Sequence, residues 1–132
     1  MYCDKSIFEL HELLVAKKVT PVELTKEAIK LAKEDKNNAF EYIAENEAIE
    51  FASSLGEPEK DNLLWGIPFV AKDNMSTKGI PTTGSSNILN GYVPVYDATI
   101  IEKLRNAKAV LIGKATLDEL AMGGTGTSGH LG

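Results

Sequence analysis

A lysine ends an apolar segment at residues 66–72, "GIPFVAK", and Asp73 and Asn74 follow it directly. The segment is typical of a short buried strand, so Lys72 would lie at the edge where open α/β sheets bind ligands. Desolvation there would favour the neutral amine, which can act as a base toward a hydroxyl nucleophile. Alternatively, the stem of Lys72 packs while its ammonium group reaches water or pairs with Asp73. The residue pattern alone leaves both interpretations open.

Glycine is concentrated at the end of the chain, with five glycines in residues 123–132, "GGTGTSGHLG". Such a stretch suits close approach of the backbone to a ligand, or a loop that needs positive φ, and a flexible tail is the competing interpretation. A phosphate-binding loop at 124–129, "GTGTSG", is disfavoured. The segment lacks the Lys-Ser/Thr ending of a Walker loop and follows a predicted helix rather than a strand.

The few cysteines and histidines argue against several kinds of site. Cys3 is the single cysteine, so an internal disulfide or a cysteine-rich zinc site is impossible within these residues. His11 lies in a helical pattern and is expected to be a partly exposed helix residue, and His130 is the only other histidine. We therefore expect no metal site and no Ser-His-Asp triad.

Composition indicates a soluble globular protein with one domain spanning residues 1–132. The sequence is 43% apolar, with a mean hydropathy of -0.12 and a net charge of -5. Residues 1–62 hold 14 acidic and 8 basic residues, whereas residues 63–132 hold 5 and 6. No basic face for direct nucleic-acid binding is evident. Without a hydrophobic leader or a long apolar run, the expected location is the cytoplasm.

Helix starts are predicted where Ser or Thr is followed three residues later by Glu, the capping-box pattern. Such starts occur at Ser6, Thr20, Thr99 and Thr116, and Asp97 is an equally good cap for the third helix. The Thr116 helix is expected to continue through Ala121. A further helix is expected over about 46–54.

Three strands are predicted, at 40–44, 67–72 and 109–113. The last two are short continuous apolar runs, which are typical of strands covered on both faces. With the intervening helix they form a β-α-β-α order, for which parallel strands and a right-handed crossover are expected. The fold class is α/β, with an N-terminal helical layer and a partial mixed sheet. Predicted core residues in the second half are Phe69, Val70, Ile101, Leu104, Leu111 and Ile112.

Two longer stretches carry a family resemblance. Residues 66–86, "GIPFVAKDNMSTKGIPTTGSS", followed by 96–123, "YDATIIEKLRNAKAVLIGKATLDELAMG", closely resemble the amidase signature family. "VTPVELTKEAI" at 19–29 is similar to the family's leading helix, so the resemblance covers essentially the whole chain. Within the family, the resemblance is strongest to the A subunits of glutamyl-tRNA(Gln) amidotransferases.

The resemblance implies specific roles for two residues. The family uses a Ser–cis-Ser–Lys triad, whose lysine corresponds to Lys72, and Met122 corresponds to a position lining the substrate pocket. The two catalytic serines lie downstream in the family, and Ser85, Ser86 and Ser128 do not occupy that motif. Residues 1–132 are therefore expected to be the N-terminal portion of an amidase domain, catalytically inactive alone.

The implied activity is glutamine amide hydrolysis, supplying ammonia for transamidation of mischarged Glu-tRNA(Gln). The implied partners are amidotransferase subunits B and C. ATP and magnesium would be used by the partner subunit, with no cofactor bound by this chain and no direct contact with nucleic acid or membrane. The alternatives are a stand-alone amidase of another substrate and a non-catalytic fragment that binds a partner.

Overall fold

The protein is a mixed α/β structure, as predicted, and a computed structural model describes residues 1–132. The longest helix has 13 residues, and none of the helices combines the length and apolar character needed to cross a membrane. In chain order the elements are α1 (Ile7–Val15), α2 (Pro21–Lys33), β1 (Phe40–Ile43), α3 (Glu45–Ser53), β2 (Pro68–Lys72), α4 (Thr99–Asn106) and β3 (Val110–Ala115). Single 3₁₀ turns lie at Tyr2–Asp4, Asn87–Leu89 and Glu119–Ala121.

Capping boxes start α1 and α2, which confirms two of the predicted helix starts. The Ser6 hydroxyl accepts a hydrogen bond from the Glu9 amide, and the Glu9 carboxylate accepts one from the Ser6 amide. Thr20 and Glu23 make the same reciprocal pair at the start of α2, where proline occupies the first turn. Each box satisfies two backbone N–H groups that have no partner within the helix.

The predicted capping of α4 is wrong for both candidates. Ala98 is the residue preceding the helix, and no side chain caps its first turn. The Asp97 carboxylate instead accepts a hydrogen bond from the Lys78 amide at 2.7 Å and lies 3.5 Å from the Arg105 guanidinium. Asp97 therefore joins the loop before the helix to the last turn of the helix.

The sheet has three strands in the order β1-β3-β2. β3 pairs antiparallel with β1 and parallel with β2, so the predicted parallel pairing is confirmed. β3 is central and almost wholly buried, in agreement with its apolar sequence. β2 is an edge strand, and burial on both faces was the wrong prediction for it, because Val70 is 40% exposed and Phe69 only half-buried.

Helices cover the two faces of the sheet unequally. One face packs on α1, α2 and α3 in the larger core, which contains Val110 and Ile112. On the other face, Leu111 and Ala71 pack with Ile101 of α4 in a smaller cluster. Of the predicted core residues, Ile101, Leu111 and Ile112 are buried, whereas Leu104 is half-buried.

An open apolar groove of about 640 Å³ runs beside the free edge of β2. Pro68, Phe69 and Val70 contribute one side of it, and Leu10 of α1 and Leu31 of α2 contribute to the other. β2 is at the edge of the sheet, so its outer backbone groups have no strand to pair with.

Candidate active site

Lys72 is the last residue of β2, at the carboxyl end of a strand parallel to its neighbour, as predicted. Its side chain is exposed and makes no hydrogen bond or ion pair. The alternative pairing of Lys72 with Asp73 is wrong, because the Asp73 carboxylate faces Lys114 instead. The expected desolvation of Lys72 is also not present: residues 1–132 leave the amine open to solvent.

The buried lysine of this region is Lys114 of β3, which no pattern in the sequence indicated. Its side chain is 0% exposed, its Nζ donates to the Met75 carbonyl at 2.9 Å and to Thr82 Oγ1 at 3.0 Å, and it lies 3.1 Å from Asp73 Oδ1. Burial lowers the pKa of Lys114, and the Asp73 carboxylate opposes that shift. Two donated hydrogen bonds and a facing carboxylate describe an ammonium group, which has no lone pair for base catalysis.

A bulge between β2 and β3 directs Lys114 toward Asp73. Phe69 pairs with Leu111 but Val70 pairs with Gly113, so β3 holds one extra residue at this point. Strict alternation would place residue 114 on the same face as residues 110 and 112, against the helical layer. The extra residue places Lys114 on the same face of the sheet as Leu111. The bulge thereby directs the Lys114 side chain toward Asp73.

The three serines set aside on sequence grounds are all engaged elsewhere. Ser85 Oγ is buried and accepts a hydrogen bond from the Leu117 amide at 2.9 Å. Ser86 Oγ donates to the Glu119 carboxylate at 2.7 Å, and Ser128 Oγ donates to Asp118 Oδ1 at 3.0 Å. None of them contacts Lys72, so the structure brings no nucleophile to the candidate base.

The glycine-rich segment 123–128 folds around the Asp118 carboxylate. Asp118 Oδ2 accepts from the amides of Thr125 and Gly126 at 3.0 and 2.9 Å, and Oδ1 accepts from the Ser128 amide at 3.0 Å. These bonds lower the pKa of Asp118 from 3.8 to about 2, since they favour the charged carboxylate. The backbone amides that could bind a phosphate are therefore already hydrogen-bonded to the Asp118 carboxylate.

The predicted helix from Thr116 through Ala121 is wrong, because the Thr116 hydroxyl donates to the Asn38 carbonyl and the Glu119 carboxylate accepts from Ser86 instead of forming a capping box. Only a single 3₁₀ turn forms at Glu119–Ala121, with no side-chain cap. Leu120 and Ala121 both adopt positive φ, of 53° and 62°, which ends any helical path. The Leu120 amide bonds to the Gly84 carbonyl at 2.8 Å, so this turn is held by the loop after β2.

Met122 directly follows that 3₁₀ turn and its side chain is 82% exposed. Its role in a pocket stays a prediction. No cluster of three or more His, Cys, Asp or Glu side chains is arranged to hold a metal ion. His11 is partly exposed on α1, as expected, and its Nε2 lies 2.8 Å from the Lys60 carbonyl.

Comparison with known proteins identifies the class. Residues 22–132 match the family described as Amidase, which is most of the chain. The protein therefore belongs to the amidase family, and the resemblance read from the residues around Lys72 is confirmed.

Curated relatives agree on one kind of protein. The chain is 43% identical over 135 residues to the A subunit of the glutamyl-tRNA(Gln) amidotransferase of Oenococcus oeni, covering 99% of this chain and 28% of that protein. It is 44% identical over 133 residues to the protein of the same name from Streptococcus thermophilus, covering 98% and 27%. The chain thus spans little more than a quarter of the length of these relatives.

Solved structures confirm the fold. An amidase crystal structure superposes with a TM-score of 0.77 at 30% identity, covering 90% of this chain and 28% of the other. The peptide amidase from Stenotrophomonas maltophilia gives a TM-score of 0.78 at 26% identity, covering 89% and 26%. The mixed sheet and its helices are accordingly one part of the amidase architecture.

Proposed function

We propose that residues 1–132 supply the catalytic base of an amidase, and that this base is Lys72. The observation that carries the proposal is the position of Lys72, unpaired at the carboxyl end of a parallel strand in a chain of the amidase family. Lys114, the other lysine of this region, is excluded because its amine is committed to Asp73, Met75 and Thr82.

The proposed chemistry is nucleophilic catalysis by a serine activated through Lys72. Neutral Lys72 accepts a proton through a bridging serine from the nucleophilic serine, which attacks the carbonyl carbon of the amide. The nitrogen departs as ammonia, taking a proton returned from Lys72, and water then hydrolyses the acyl-enzyme. Both serines come from a segment other than residues 1–132, and that segment also desolvates the exposed amine.

The proposed substrate is glutamine, with ammonia passed on for transamidation of Glu-tRNA(Gln). Supporting this choice are the curated relatives, which are named as A subunits of glutamyl-tRNA(Gln) amidotransferases and share 41–44% identity. The proposed partners are subunits B and C, with ATP and magnesium used by the partner subunit, in a complex located in the cytoplasm. A peptide amidase among the solved structures supports a stand-alone amidase as the second candidate.

A chimera tests the choice between the two candidates. Residues 1–132 replace the matching segment of the A subunit from Oenococcus oeni, and ammonia release is measured with glutamine and with a peptide amide, with and without subunits B and C. We expect turnover of glutamine that requires or increases with the partner subunits. Turnover of the peptide amide alone, independent of B and C, would support the stand-alone amidase. A folded chimera without any turnover would leave only the partner-binding alternative.

A further inference from the structure

Lys72 and Met122 have exposed side chains that make no hydrogen bond or ion pair, so their relative position depends on the backbone beneath them. Binding and catalytic groups need positions accurate to fractions of an ångström, which supporting groups must provide. The structure contains such support in one buried polar network, which connects the end of β2 to the turn before Met122.

The network begins at the Asp73–Lys114 pair, both of whose side chains are 0% exposed. Asp73 follows Lys72 directly, and its amide donates to the Ala115 carbonyl at 2.9 Å, which extends the parallel ladder by one bond. Lys114 additionally binds the Met75 carbonyl and the Thr82 hydroxyl. The Lys114 ammonium group thus links the residues that directly follow β2 to the loop at residues 82–86.

From Asp73 the network continues into that loop. Asp73 Oδ2 accepts hydrogen bonds from the Thr83 amide at 3.0 Å and the Thr83 hydroxyl at 2.6 Å. The Asp73 carbonyl accepts from the Gly84 amide at 2.9 Å, and Thr83 Oγ1 accepts from the Ser85 amide at 3.1 Å. The loop is therefore built around one carboxylate, and Ser85 adopts a left-handed φ of 54° within it.

The loop in turn holds the turn that precedes Met122. Ser85 Oγ receives the Leu117 amide, the Gly84 carbonyl receives the Leu120 amide, and Ser86 Oγ donates to Glu119. A continuous chain of hydrogen bonds consequently joins Asp73, the residue after Lys72, to the turn before Met122, and its middle members Thr83, Ser85 and Ser86 are buried.

We propose that Asp73 and Lys114 are positioning residues, which fix the end of β2 that carries Lys72 relative to the turn that carries Met122. The relevance of these two positions to catalysis rests on the proposed function. A buried pair suits this role because removing one member leaves an uncompensated charge and unpaired buried groups, which the network must rearrange to satisfy.

The test uses the 132-residue chain carrying Val70→Lys, an exposed substitution expected to reduce association between copies, and needs no turnover. In Asp73→Asn we expect the amides of Thr83 and Leu117 to exchange hydrogen about tenfold faster or more, because each hydrogen bond in the network is weakened. The Val110 amide, bonded to the Ile67 carbonyl at 2.8 Å, should exchange at an unchanged rate. The control is Glu57→Gln, which removes the exposed Lys17–Glu57 pair and should change none of these rates.

A distance measurement adds the readout that general destabilisation would not give. Spin labels are placed at cysteines replacing Lys72 and Met122, with Cys3→Ser to avoid a third label. We expect the distance distribution to broaden in Asp73→Asn and to stay unchanged in Glu57→Gln. If Asp73→Asn does not fold, Asp73→Asn with Lys114→Met removes both charges and is measured instead.

Unchanged exchange at Thr83 and Leu117, or an unchanged label distance, would overturn the positioning role. If the Val110 amide exchanges faster by the same factor, or if neither variant folds, the positioning role is also overturned. The Asp73–Lys114 pair would then contribute only to general stability. Since these readouts involve no catalysis, inactivity of the amidase chimera would refute the proposed function without changing this result.

Discussion

Lys72 and Asp73 are adjacent in sequence but occupy opposite environments. The Lys72 side chain is exposed at the strand end, whereas the Asp73 side chain is wholly buried against Lys114. Successive residues of an extended chain point to opposite faces, so Asp73 can pair with Lys114 on one face while the Lys72 amine lies on the other. Asp73 is thereby paired with Lys114, and Lys72 makes no ion pair with it.

Truncation of Ile101 in α4 and of Val70 in β2 should lower stability according to how deeply each side chain is buried. Ile101→Ala should lower the free energy of unfolding by about 2–5 kcal/mol, because Ile101 is fully buried. Val70→Ala should change it by about 0.5 kcal/mol or less, as at other exposed sites. Urea melts of both variants provide the measurement, and a large loss in Val70→Ala would show that β2 is not an edge strand.

Helix capping gives a second comparison, between a cap that forms and one that does not. Thr20→Ala should cost about 1 kcal/mol, because the Thr20 hydroxyl accepts the Glu23 amide. Thr99→Ala should cost about 0.5 kcal/mol or less, because no side chain caps α4. Equal losses in thermal or urea unfolding would contradict the assignment of Ala98 as the N-cap of α4.

The Asp118 carboxylate should make the glycine-rich loop sensitive to acid. Its pKa is lowered to about 2 from 3.8, so its contribution to stability is fully present above about pH 3.8 and lost as pH falls toward 2. The amide resonances of Gly126 and Ser128 should therefore shift with a midpoint near pH 2. In Asp118→Asn this transition should disappear, and a midpoint at the ordinary value of 3.8 would contradict the loop geometry.

The uncovered edge of β2 predicts association of the 132-residue chain. Exposed strand edges and apolar grooves favour contacts between copies, so we expect oligomers at micromolar concentration and binding of a dye specific for apolar surface. Val70→Lys should reduce both, whereas Val95→Lys, at an exposed position outside the sheet, should not. A monodisperse monomer that melts cooperatively without binding the dye would contradict this expectation and favour an independent binding module.

Local patterns predicted much of the fold but little of the support around the candidate site. Capping boxes and apolar runs identified α1, α2 and the central strand correctly, because these elements depend on neighbouring residues in sequence. Lys114 was missed because its burial depends on a one-residue bulge and on Asp73, which is 41 positions away. An apolar run likewise cannot reveal whether a strand has a neighbour on both sides, so the exposure of Val70 was not predicted.

The helix expected at 116–121 shows a different limit. The pattern at Thr116 to Glu119 satisfies a capping box, but the Thr116 hydroxyl donates to the Asn38 carbonyl and the Glu119 carboxylate accepts from the Ser86 hydroxyl. Both partners are distant in sequence, so tertiary hydrogen bonds decide against the local cap. The composition of the segment carried no signal for that outcome.

The assignment of Lys72 as the base is tested most directly by Lys72→Arg in the amidase chimera. Arginine has a similar length but stays protonated, so it cannot accept the serine proton. We expect glutamine hydrolysis to fall by about three to four orders of magnitude in Lys72→Arg and in Lys72→Ala, as for loss of a triad member. Lys103→Arg, at an exposed position of α4, is the matched control and should retain activity. Substantial turnover by a folded Lys72→Arg chimera would contradict the assignment.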